Sequence, residues 1–597
     1  MPFQRYWIIL LLHLTCQIHP ICAQQPTALK EVLNDEVNNS VLSEDLLQQL
    51  KRKLPKNRFT HWLLNCLFTL PKAPQKQVTV VTYFPHQGMY VDRIQLSKQG
   101  AWNAKTSGNK QLVHMLLPTT RDRVILDQLN FVPGSIIAPR QLIASQERLN
   151  ECAYIKEAKI TLQKRKGSRD TVDILIATQD QFPISFGLDG AKPSLLVTHN
   201  NLFGWGHLLE NRLLYDHGLG YSALYRAPDI KNSGITSELK YLTAPRKGIK
   251  KASIFRNFAR QADYAGKIEI SKVRRLKKRI LDGNTSPQST PFSFYQQRIW
   301  LGTACNTWPM ADSRHGRFFL TGTIARKQFI DRPAVAKSTN RYFHNYVFGA
   351  GSLGFSHKKH YEDRLVYGVG NTEKIACGSK VNLIRGYAFG EFISRPYLRL
   401  DITQGGRIRQ LGYLYGAVNV GGFWNKKYIE QGIIQLQLRY FTPLLGVGKQ
   451  CIRQFISLAY LAGHNMFTGE LISTNVSKVP KIFKDPFPGG TQRLYLGLET
   501  VLFTPTQVAG CQVAALGFVD AVRLQDAQGK VQQRSFCKAW GIGFRCTHPR
   551  FSFGILQVKV GYAPITQNMI FTITTSTTHP PDDLDIGEPE IIPFQEY

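Results

Sequence analysis

From about residue 183 onward, hydrophobic and polar residues alternate one by one. In Tyr397–Thr403, Leu398, Leu400 and Ile402 fall on one face, with Arg399, Asp401 and Thr403 on the other. Ile434, Leu436, Leu438 and Tyr440 alternate with Gln435, Gln437 and Arg439. Leu494, Leu496, Leu498 and Leu502 alternate with Arg493, Tyr495 and Glu499. A period of two predicts strands with one apolar face. So many charges on the second face are hard to bury in a soluble sandwich or propeller. They suit a barrel with a wet lumen and lipid outside. Arg399, Asp401, Arg439, Arg493 and Glu499 are then lumenal. Tyr440, Phe441, Phe503 and Tyr562, near strand ends, are candidates for interfacial aromatic girdles.

Ahead of this array the period changes. In Phe131–Leu162, a Pro133–Gly134 turn precedes a helical pattern in which Ile137, Leu142, Ile143 and Leu149 share a face. The predicted order over 77–180 is a strand near Val91–Leu96, a helix Arg121–Asn130, a helix Pro139–Asn150, and strands Tyr154–Leu162 and Val172–Thr178. With Leu126, Leu129, Leu142 and Leu149 inward, this makes a small α+β sandwich with one sheet edge open to an added strand.

The first residues change the compartment. Arg5, an apolar run around Trp7–Leu12, and Ile21-Cys22-Ala23 have the layout of a secretory signal peptide cut after Ala23. No later segment reaches the roughly 18–20 apolar residues that a membrane helix needs. Residues 24–76 read as short helices and a linker. Removing Cys16 and Cys22 from the ten cysteines leaves eight, with no CxxC. Cys511, Cys537 and Cys546 lie in neighbouring β-segments, as a disulfide or as free thiols. The net charge of +34 would suggest nucleic acid in a cytoplasmic protein. In an exported one it points to anionic lipid headgroups or lipopolysaccharide, or to a generally Lys/Arg-rich surface, the reading preferred here. Arg274–Arg279 reads as a solvated hairpin loop.

Chemistry is sparse. His357 and His360 have a helical metal spacing in a β context. The glycines at 349–354 and 421–422 lack the Lys-Ser/Thr of a phosphate loop. No Gly-x-Ser-x-Gly occurs. Neither an enzyme nor a cofactor is expected.

Gly134, SQERLNECAYIKEAKI and TVDILIAT, within 131–178, resemble the POTRA repeat of the BamA/TamA-type outer-membrane assembly superfamily, the bacterial surface antigen family. Asn200–Tyr215 (NNLFGWGHLLENRLLY) resembles its first barrel strands; Gly489–Pro505 and Val513–Leu524 resemble its late ones. The resemblance covers roughly 90–565. It implies an all-β membrane protein: an antiparallel outer-membrane β-barrel of about sixteen strands preceded by one small α+β POTRA-like domain. Its boundaries would be 1–23 signal peptide, 24–76 helical linker, 77–180 POTRA-like domain, 181–578 barrel and 579–597 polar tail. It further implies insertion or translocation of unfolded outer-membrane or secreted polypeptides, the module capturing them by β-augmentation with possible periplasmic accessory proteins, and no nucleic acid. A passive pore or surface antigen with the same fold is the alternative.

The family carries an Arg-Gly-aromatic motif on a loop folded into the lumen. Five strands predicted after Gly490 put that loop at about 465–490, where no such motif occurs. Arg385-Gly386-Tyr387 has the right residues some two hairpins too early, either as a lumenal motif or, the reading preferred here, as a plain hairpin turn. Lys478 or Lys481 would be the substitute lumenal cation.

Overall fold

The structure, a computed structural model, describes residues 87–576 and Ile586, less 101–116, 165–169, 190–192, 231–232, 259–263, 280–287, 307–315, 369–371, 409–410, 426–427, 448–449, 468–469, 471–489, 509–510, 526–535, 548–554 and 565–567. The expected signal peptide and 24–76 segment lie outside these residues, as do Lys478, Lys481 and most of the tail.

The α+β module comes first. Its elements are β1 (Tyr90–Gln99), α1 (Asp122–Leu126), α2 (Pro139–Glu151), β2 (Ile155–Lys164) and β3 (Thr171–Asp180). The sheet order is β1-β3-β2, with β1 parallel and β2 antiparallel to the central β3. Val172, Ile174 and Ile176 of β3 are fully buried against Leu142, Leu149, Ile125 and Ile160. α1 is shorter than predicted, and its phase buries Ile125 while Leu126 is exposed. Nor is the β2 edge bare. Asn150 on α2 accepts from Ala158 N (2.7 Å) and donates to Ala158 O (3.3 Å), and Gln146 accepts from Ile160 N.

The barrel opens with short strands: β4 (Ile184–Asp189), β5 (Ser194–Leu202), β6 (His207–Tyr215), β7 (Leu219–Ala227), β8 (Ile235–Ala244) and β9 (Lys247–Arg256). Longer ones follow: β10 (Tyr264–Arg279), β11 (Gln288–Asn306), β12 (Arg317–Asp331), β13 (Tyr346–Arg364) and β14 (Thr372–Gly390). Next are β15 (Arg395–Arg407), β16 (Tyr413–Asn425), β17 (Tyr428–Phe441), the three-residue β18 (Leu445–Val447) and β19 (Gln450–His464). The last are β20 (Gln492–Val508), β21 (Cys511–Gln525), β22 (Phe536–Thr547), β23 (Ile555–Ala563) and β24 (Asn568–Ser576).

All pair antiparallel with their neighbours, and β24 returns to β4. Because β17 pairs directly with β19, β18 is an edge hairpin, leaving twenty strands around the barrel. The expected sixteen is therefore too few. The five strands after Gly490 stand where predicted; the extra ones lie before it, among strands as short as six residues. Asn200–Tyr215 spans the end of the second barrel strand and the whole of the third.

Outside, Phe318, Leu320, Ile324, Leu353, Leu383, Leu400, Ile402 and Leu496 are exposed, forming a belt suited to hydrocarbon. Inside, charges pair: Lys251 reaches Glu269 (3.1 Å), and Arg226 reaches Glu238 (2.7 Å). Phe441 and Phe503 are buried in lumenal clusters rather than in a girdle, whereas Tyr562 faces outward. No described helix is long and apolar enough to cross a membrane, which says nothing of strands. Arg274, Arg275 and Leu276 belong to β10, not to a loop, since the strand continues past its shorter neighbour. Cys511, Cys537 and Cys546 are free thiols.

Candidate functional site

Three features converge on the barrel: a docked module, a loop folded into the lumen, and a thin seam.

The module sits on the β5–β6 turn. Asn201 donates to Thr120 Oγ1 (2.9 Å) and accepts from Gly206 N (2.8 Å). Thr120 in turn donates through N and Oγ1 to Asp180, at 2.8 Å each. Burial pushes the Asp180 carboxyl up, while Thr120 and Lys98 pull it back down. The Arg121 guanidinium stacks 4.2 Å over Trp205. Gly206, at φ +68°, lies so close that a Cβ would meet Tyr154 Cε1 at 2.6 Å. The glycine-punctuated FGWG run is thus a docking turn. Gln128 also donates to Asp229 in the β7–β8 turn, so the module marks one end of the barrel.

At the opposite end, the β12–β13 connection folds inward. Asn340 takes the left-handed conformation (φ 50°) and opens a single 3-10 turn, Arg341–Phe343. Phe343 is 2% exposed, 5.4 Å from Phe292 and 5.7 Å from Phe329 on the inner wall. Arg341 crosses to β17 and donates to Glu430 Oε2 (2.8 Å). Glu430 also accepts from Arg395 (2.6 Å) and Asn425 (2.9 Å). A bulge at Gln431 (φ 49°) re-aims this stretch, leaving both Glu430 and Gln431 buried. Arg341 further lies 4.2 Å over Phe467.

The base of the loop is pinned. Arg332 makes a bidentate pair with Glu391 (2.7 and 2.9 Å) and donates to Phe343 O. The Arg332 guanidinium holds the Glu391 carboxyl down at about 2, and Glu391 raises Arg332 in return. Burial lowers His344 nearby, whose ring meets Ala336 O at 2.9 Å.

The expected motif is placed elsewhere. Arg385 and Tyr387 lie within β14 rather than at a hairpin turn, on its outer face with Val381, Leu383 and Phe389, while Asn382 and Ile384 point inward. Strict alternation through Gly386 puts the guanidinium on the lipid side, so a lumenal Arg385 is ruled out by register. Lys478 and Lys481 lie outside the described residues; Phe467 and Glu470, from the start of that connection, reach the Glu430 cluster. Arg399 and Asp401 face the lumen and pair at 2.7 Å. Arg439 and buried Arg493 are also lumenal. Glu499 is held by Arg545 and by Lys559 (2.5 Å). His357 and His360, three apart on one strand, point to opposite faces and share no metal site. Among the described residues no group of three His, Cys, Asp or Glu could hold a metal. Sequence reading missed Arg341, Arg395 and Glu430; Arg-Tyr-Phe after a left-handed Asn was the available signal.

The seam is thin. Among the described residues β4 meets β24 through one residue pair, Asp189–Thr574, whereas β13 and β14 pair over nineteen residues. Finally, Ile586 is fully buried inside the barrel among Tyr413, Tyr415, Phe441, Val366 and Ile375, at the module's end. A Cβ at Gly405 would strike it at 2.6 Å.

These features define a membrane β-barrel with a docked α+β module, an occupied lumen and a closure in which the described residues of β4 and β24 share one pair. No protein-family model matches the chain, and no curated protein does. Among solved structures the chain is similar to BamA from Haemophilus ducreyi lacking POTRA domains 1–3, at 12% identity and a TM-score of 0.40, covering 82% of this chain and 84% of that one. It is similar to CdiB from Acinetobacter baumannii at 11% identity and 0.39, covering 82% and 74%. CdiB from Escherichia coli gives 11% identity and 0.32, covering 90% and 97%. These are distant likenesses, and the barrel rests on the strand pairing above.

Proposed function

We propose that the chain is a bacterial outer-membrane barrel that takes polypeptide clients at the β4–β24 seam, for insertion or translocation. The observation that carries this is the β4–β24 junction, where the described residues form the single pair Asp189–Thr574. Unpaired strand edges template added strands, and in lipid only a partner strand satisfies them. The module, read as POTRA-like and periplasmic, presents clients by β-augmentation. At the β2 edge a client must displace the Asn150 amide, which already hydrogen-bonds Ala158 as a peptide group would. Neighbouring lipids and lipopolysaccharide surround the belt, and no chemistry is assigned to the lumen.

The test is a redox lock. Asp189→Cys with Thr574→Cys, cross-linked in the full chain, should stop client insertion, and reductant should restore it. If the locked barrel still supports normal outer-membrane protein levels, or if depletion leaves those levels unchanged, the passive pore or surface antigen reading takes its place.

A further inference from the structure

We infer that the outer face of β8–β11 binds a phosphorylated, acyl-chain-bearing lipid in the leaflet remote from the module. Naming that leaflet the outer one rests on the outer-membrane reading above; the site itself rests on its own geometry.

Register aligns the side chains into rows. One row runs Ala223–Tyr241–Lys250–Lys272–Tyr295 across five strands. The row below, one step nearer the module, runs Tyr225–Leu239–Ala252–Ile270–Gln297. Beneath it lie Ile254, Ile268, Ile299 and Ile324, all exposed on the same face. Above the cations comes Arg274, which donates to Ala244 O (3.3 Å). Asp331 ends that upper row two strands away, engaged by Ser293. The cations therefore stand at the upper rim of the apolar belt, the headgroup level.

Lys250 and Lys272 are direct cross-strand partners. Like charges so placed repel, and more strongly beside hydrocarbon than in water. Every described ion pair of the inner face has its carboxylate; among the described residues, this outward pair has none. Lys272 Nζ lies 5.2 Å from the Tyr295 ring, which orients it without neutralising it. A phosphate between the two ammoniums removes the repulsion and adds charge-assisted hydrogen bonds.

The surface below is shaped to match. Ala223 and Ala252, flanked by Leu209, Tyr225, Leu239 and Ile270, floor an open trough of about 560 Å³ that begins at the two lysines. An acyl chain fits there, and a bare anion would leave it empty. Charge above and groove below together specify one amphiphile.

The experiment uses the purified full chain in nonionic detergent, titrated with dioleoyl phosphatidylglycerol and read by native mass spectrometry. Heat-modifiable gel mobility confirms that each variant is folded. K250Q/K272Q should bind the lipid about tenfold or more weakly. A252F, which fills the trough and keeps both charges, should weaken it too, while K240Q on the lumenal face should not. Dioleoylglycerol, lacking the phosphate, should be retained poorly, and inorganic phosphate at matched concentration should not displace the lipid. In lipid-free detergent K250Q should raise the thermal midpoint; with phosphatidylglycerol it should lower it. Undiminished binding in K250Q/K272Q, an equal loss in K240Q, or an unchanged sign of the thermal shift would each overturn the site. Displacement by inorganic phosphate alone would reduce it to an anion site and overturn the lipid. The seam lock reads out separately: lipid retention with an inconsequential lock fells the insertion reading only, and the reverse result fells this one only.

Discussion

Glu430 accepts from two guanidiniums and an amide while being 3% exposed, so its removal and the removal of one partner differ in kind. Arg341→Ala leaves Arg395 and Asn425 in place and should cost about 1–2 kcal/mol. Glu430→Ala leaves two cations facing each other across a buried gap and should cost about 3–5 kcal/mol. The difference in unfolding midpoint, followed by gel mobility on heating, checks the order; equal effects would mean that Arg395 and Asn425 do not share the Glu430 charge. Glu391 gives a pH signature. Arg332 depresses its carboxyl to about 2, so the pair stabilises the loop fully above the ordinary glutamate range and is lost as pH falls towards 2. The stability gap between wild type and Arg332→Gln should therefore be full above about pH 4.5, and close towards pH 2.

At the scale of elements, α2 does more than cover the sheet. Its Asn150 occupies the backbone groups of Ala158 on the outer edge of β2. Asn150→Ala should destabilise the module by about 1–2 kcal/mol and speed hydrogen exchange at Ala158; unchanged exchange would show that the amide is not the cap. The β-array was legible wherever one face alternates cleanly, as at Tyr397–Thr403 and in the five strands after Gly490. It was illegible where strands are short, and there the count fell short of twenty. The lumenal loop was harder still. Arg341 and Glu430 are 89 residues apart, and Gly432 beside Gln431 signals a bulge without saying which side chain it aims, or where. Arg385 misled for a related reason: a motif states residue types, whereas register decides which side of the wall they occupy.

Across the whole molecule, polar pairing is distributed unevenly. Among the described residues, ladders of eleven to nineteen residue pairs hold β10 to β17, while β4 and β24 meet at Asp189 and Thr574. Opening is therefore expected at one meridian and not by general loosening. The lumen is obstructed from both ends, by the Arg341 loop and by Ile586. Ile586→Asp should raise single-channel conductance in planar bilayers, because a carboxylate does not stay among Tyr413, Tyr415 and Phe441; unchanged conductance would mean that Ile586 does not limit flow.

That isoleucine lies ten residues beyond Ser576, the end of the very strand that closes the seam. Ten residues span at most about 35 Å when fully extended. A β24 strand that swings away from β4 thus pulls on its own leash, and past that reach it must draw Ile586 from its seat. Within that reach β24 moves without disturbing Ile586; beyond it, sideways release and axial clearance become a single mechanical event, like a latch whose cord is tied to the stopper.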